Sequence, residues 1–108
     1  MGALPNPKSS PLVKQVQKIR GEIESLLLKM QKSEQWTPTR EQMDDCAELL
    51  VRFVNKNPVE VEAHKSYLKA AIIDLTEVPQ MAQEMQRIAY STAIKSALNE
   101  IDLFLSCL

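Results

Sequence analysis

The stretch "PLVKQVQKIRGEIESLLLKM", Pro11 to Met30, sets the fold. Its apolar residues Leu12, Val16, Ile19, Ile23, Leu26 and Met30 step by 4, 3, 4, 3 and 4. That rhythm keeps them on one stripe of a helix with ~3.6 residues per turn, whereas a half-buried strand would alternate by two. The start is marked by "SSP": Ser10 can cap a helix, and the fixed φ and missing N–H of Pro11 do no harm in a first turn. An amphipathic helix with its core on one side is predicted.

Outward from it, the same periodicity returns three times. A second segment places Met43, Cys46, Ala47, Leu50, Phe53 and Val54 on one face, and a third places His64, Tyr67, Leu68, Ala71, Ile72 and Leu75. The last, from Pro79 to Ser106, carries two adjacent seams: Met85, Ile88, Ala89 and Thr92, then Ile94, Leu98, Ile101 and Leu105. So wide an apolar face suits a helix packed against more than one neighbour.

Proline marks the junctions. "TPTREQ" offers Thr37 followed by Pro38, or Thr39 with Gln42 completing a capping box. "KNPVE" offers Asn57 as cap, Pro58 next and Glu60 at the third position, and "TEVPQ" puts Pro79 at a further start. Connections of roughly four to eight residues force successive helices antiparallel. The expected fold is all-α, a compact bundle of four main helices in two α-hairpins, with a short connecting helix near Asn55 to Val59. Residues 1–10 read as a disordered lead and 11–108 as a single helical-bundle domain. Only two glycines in 108 residues agrees with helices rather than strands and turns.

A net charge of -1 supplies no whole-molecule field for nucleic acid or anionic lipid, although Lys8, Lys14, Lys18 and Arg20 make the amino-terminal fifth locally basic. No apolar run approaches the ~20 residues that span a bilayer, and "MGALPNP" has no secretory apolar region. Cys46 and Cys107 lack metal or redox spacing and read as reduced, buried thiols. His64 is the single histidine and no nucleotide-binding, hydrolase or zinc-protease motif occurs. Asp44 and Asp45 point about 100° apart on a helix and make no acid–base pair. Gly21, inside the first helix, reads as allowing close helix packing. No catalysis, metal, cofactor or small-molecule substrate is expected.

Association remains. "SEQWTPTREQ", Ser33 to Gln42, holds the only tryptophan in a polar turn. In an antiparallel array that turn and the "VPQM" junction, Val78 to Met81, share one end of the molecule. A groove there would be lined by Met30, Trp36, Val78 and Met81. Alternatively Trp36 staples the first turn of helix two, and Val78 and Met81 close the core. In "IDLFLSCL", Leu103, Phe104, Leu105, Cys107 and Leu108 cannot all face one stripe, which offers a homodimer contact through Leu103, Phe104, Leu105 and Leu108.

"VQKIRGEIESLL", Val16 to Leu27, resembles the first helix of integrase-binding domains, variants of the amino-terminal domain of transcription elongation factor S-II. "CAELLVRFVNKNPVEVEAHK", Cys46 to Lys65, is similar to that family's second helix and following turn, and the likeness covers most of residues 12 to 104. The resemblance implies a non-catalytic scaffold of nuclear location, cytoplasmic being the alternative. It would bind short disordered or helical motifs of chromatin and transcription-elongation proteins in a pocket between interhelical loops. The implied partner-binding positions are Lys29, Met30, Trp36, Val78, Pro79 and Met81. Met30 stands where the integrase-binding domain has an aspartate, so Glu34 is the candidate substitute. A second resemblance is to the BAG domain, a three-helix binder of the Hsp70 nucleotide-binding domain; there Asp74, Arg87 and Lys95 would carry the contact, although Pro58 interrupts what should be one continuous helix.

Overall fold

A computed structural model describes residues 11–77 and 83–108. The first helix, α1, is Pro11–Lys32, followed by α2 at Arg40–Lys56, a four-residue α3 at Pro58–Val61, a 3-10 turn at Glu62–His64, α4 at Lys65–Thr76 and α5 at Gln83–Ser106. Among the described residues there is no strand. The chain is an all-α bundle of four main helices, with α1 and α2 forming one hairpin, α4 and α5 the other, and α3 with its 3-10 turn joining them. Ser10 and the Val78, Pro79 and Met81 junction lie outside the described residues.

The helices close a ring in the order α1, α2, α4, α5, but unevenly. α4 packs most extensively on α5, and α1 leans more on α5 than on its own hairpin partner α2. Core side chains come from every main helix: Val16, Ile23 and Leu26; Met43 and Leu50; Leu68 and Leu75; Ile94 and Ile101. Phe53 of α2 meets Phe104 of α5 edge to face, ring centroids 6.2 Å apart, joining the two hairpins through an aromatic pair. The Arg20 guanidinium latches α1 to α5 as a fork, Nε donating to Asp102 Oδ1 at 2.6 Å and Nη2 to Oδ2 at 3.1 Å.

The start of α2 resolves the two readings of "TPTREQ". Thr39 is the cap: its hydroxyl accepts from the Gln42 N–H at 3.1 Å, and Gln42 Oε1 accepts from the Thr39 N–H at 2.9 Å. Pro38 is buried behind it. The corresponding expectation at Asn57 fails. Asn57 Nδ2 donates to the Phe53 carbonyl at 3.0 Å, so the carboxamide closes α2 and does not cap α3.

Three other expectations are corrected. In α5 the seam of Met85, Ile88 and Thr92 faces solvent, Ile88 being 67% exposed. Tyr90 is buried, and Ile88 sits two residues away, about 200° around the helix, so one of the two must face out. Gly21 is exposed, and a Cβ placed on it would meet nothing within 4 Å, so it serves no close packing. Cys46 is buried as expected, but Cys107 is exposed beyond the last turn of α5.

Candidate functional site

At one end of the bundle the loop after α1 is drawn tight. The Ser33 N–H donates to the Lys29 carbonyl at 3.1 Å and the Trp36 N–H to the Ser33 carbonyl at 3.2 Å. This turn tips the half-buried Trp36 ring onto the core, with Lys29 Nζ 5.5 Å above the ring centroid in a cation–π arrangement. From α5, the Arg87 guanidinium donates to the main-chain carbonyls of Met30 and Trp36. From α2, Arg40 donates to the Thr76 carbonyl at the end of α4. The α1–α2 loop, the end of α4 and the beginning of α5 therefore share one end, held by two arginines reading main-chain oxygens.

The residues singled out from the sequence divide here. Lys29 and Trp36 meet each other directly. Met30 is 3% exposed and belongs to the core, so its side chain presents no surface; only its carbonyl takes part. Glu34 is exposed in the loop. Val78, Pro79 and Met81 fall outside the described residues. Arg87, read as an outward contact in the BAG-like alternative, instead points into the loop and is engaged there. For the homodimer contact, Phe104 is fully buried and unavailable, whereas Leu103 is 39% exposed.

The flank of the bundle carries a concavity outside the expectations drawn from the sequence. Along the α1–α2 seam a cleft of about 410 Å3 has an apolar floor of Ile19, Leu49 and Phe53 and a rim carrying Lys18, Arg52 and Lys56. It meets a shallower cleft at Glu22 and Leu49, which continues past Asp45 and Cys46 to Lys29. Together they follow α1 from Gln15 to Lys29, roughly 20 Å at ~1.5 Å per residue. The opening follows from packing, since α1 leans on α5 and leaves its α2 side less filled. Its trace in the sequence is two basic i, i+4 pairs bordering apolar positions, Lys14 with Lys18 on α1, already part of the basic amino-terminal fifth, and Arg52 with Lys56 on α2.

The two halves of the seam differ in charge. In the far cleft, where Glu22 and Asp45 stand with Lys29, the Cys46 thiol is pushed up to about 11, first by burial and then by the carboxylates of Glu22 and Asp45. Because the folded value lies above the ordinary one near 9.0, the stabilisation by the neutral thiol is fully present below about 9.0 and is lost as pH rises through about 11.

Among the described residues no group of three His, Cys, Asp or Glu side chains is placed to hold a metal ion, and no helix is long and apolar enough to cross a membrane. Compared with protein-family models, curated proteins and solved structures, the chain finds no match.

Proposed function

We propose that this chain is a non-catalytic interaction domain that captures short disordered or helical motifs of nuclear partners in chromatin and transcription elongation at the loop end of the bundle. The observation that carries the reading is the Arg87 clamp. A half-exposed tryptophan on a loop is of little use to a partner if the loop wanders; here its carbonyl and that of Met30 are fastened to α5. A partner's apolar side chain then meets a ring already in position, and the complex loses less conformational freedom on forming. Lys29 over the ring supplies a charge at the rim that can set register. The helix-one resemblance supports the nuclear and transcriptional part of the proposal.

The test is a display selection of peptides tiled from disordered regions of nuclear proteins, run on the wild type and on Trp36→Ala. A recurring short motif enriched by the wild type and lost from the variant, with the urea unfolding midpoint retained, is the expected result. If no motif is enriched, or if Trp36→Ala unfolds, the ring is core and the reading falls.

A further inference from the structure

The apolar-floored cleft between α1 and α2 lies on the flank, and none of its lining residues belongs to the Arg87 clamp; only the far end of the seam reaches Lys29. We infer that it is a second docking surface whose occupant is an acidic amphipathic helical segment of a partner protein. Three observations select that occupant. The floor of Ile19, Leu49 and Phe53 is apolar, which asks for apolar anchors and disfavours a nucleic-acid backbone alone. The rim at the same level carries Lys18, Arg52 and Lys56. Glu22, four residues after Lys18, is the one carboxylate among this cleft's lining residues, so three cations stand against it, and Arg52 also pairs with Glu48 on its own helix at 3.2 Å. That pair is exposed, with Arg52 at 71%, and exposed i, i+4 pairs are weak enough to be exchanged for a partner's carboxylate.

The shape agrees. The seam is bounded by two helices over roughly 20 Å, the length of about fourteen helical residues, so apolar side chains at i, i+4 and i+7 of the occupant would reach the floor along its length. Charge also fixes direction. Glu22 stands where the two clefts meet, and the far cleft adds Asp45 and Lys29, so the three-cation cluster of Lys18, Arg52 and Lys56 is confined to the near end. The acidic end of the occupant therefore lies toward Lys18 and Lys56, and its neutral or basic end toward Glu22.

The test uses fluorescein-labelled probes of about fifteen residues: a Leu-faced helical peptide with Glu on its polar face, the same peptide with Lys for Glu, and a single-stranded DNA of similar length. Anisotropy is read against the wild-type chain, the double variant Lys18→Glu with Lys56→Glu, and Trp36→Ala. Both lysines are exposed, and circular dichroism checks that the double variant stays helical. The Glu peptide is expected to bind, to weaken at least about tenfold in the double variant and with added salt, and to be indifferent to Trp36→Ala. Absence of binding by the Glu peptide, equal binding to the double variant, or tighter binding of the DNA or the Lys peptide overturns the inference. Loss of the Glu peptide in Trp36→Ala also overturns it, but moves the site to the loop end and leaves the proposed function standing.

Discussion

α1 meets the rest of the molecule in two different ways along its length. At its carboxyl-terminal turns, Met30 is sealed in the core and its carbonyl is fastened by Arg87, while the Trp36 ring lies under Lys29. Along its middle turns, Ile19 is only half-buried and faces Leu49 across an open cleft. Both regions expose apolar surface beside lysines, so composition does not separate them. What separates them is main-chain hydrogen bonding between distant elements. The loop and the last turn of α1 leave carbonyls without helical partners and recruit Arg87, whereas the flank lies between two helices whose backbones are satisfied within themselves.

The comparison can be broken most forcefully from beneath. Phe104→Ala removes the ring that packs edge to face on Phe53 under the cleft floor, and should cost about 3–5 kcal/mol by urea unfolding. A cost under about 1 kcal/mol would show the flank to be loose throughout, and no preformed cleft would exist. Next in size is the clamp. Arg87→Ala leaves two partly buried carbonyls without their charged donor and should cost about 2–3 kcal/mol, with faster hydrogen exchange at the Trp36 amide. Arg87→Lys should recover only part, because one ammonium does not span two carbonyls as the guanidinium fork does. An alanine variant as stable as the wild type would erase the distinction between the two regions. Smallest, and opposite in sign, is Gly21→Ala on the exposed side of α1, which should raise stability by about 0.5–1 kcal/mol in the same unfolding assay. Destabilisation there would mean that the flank closes over Gly21 in solution.

How much of this could be read from the chain depends on how local each determinant is. The four helices were legible because 3.6-residue periodicity over more than ten positions is a property of one segment, and Thr39 with Gln42 was legible because a capping box spans four residues. Asn57 misled because the carboxamide could serve the helix behind or the one ahead, and the sequence holds no term that ranks the two. Met85 and Ile88 misled because an apolar residue at helical spacing says only that a stripe exists; which of two stripes is buried was decided by Tyr90 and its neighbours. The Arg87 clamp was beyond reach for a different reason: its acceptors are backbone oxygens, 57 and 51 positions away, and nothing in the identity of Met30 or Trp36 announces them. The cleft on the flank was half legible, as basic i, i+4 pairs, but its depth depends on α1 preferring α5.

That clamp has a consequence for how such a domain could change over generations. Every residue type carries a carbonyl, so the loop can exchange Trp36 for another side chain, and the first helix can exchange Met30 for another apolar one, without Arg87 losing either acceptor. The arginine is the part that must be inherited, since its hold does not depend on the identity of the side chains whose carbonyls it fastens.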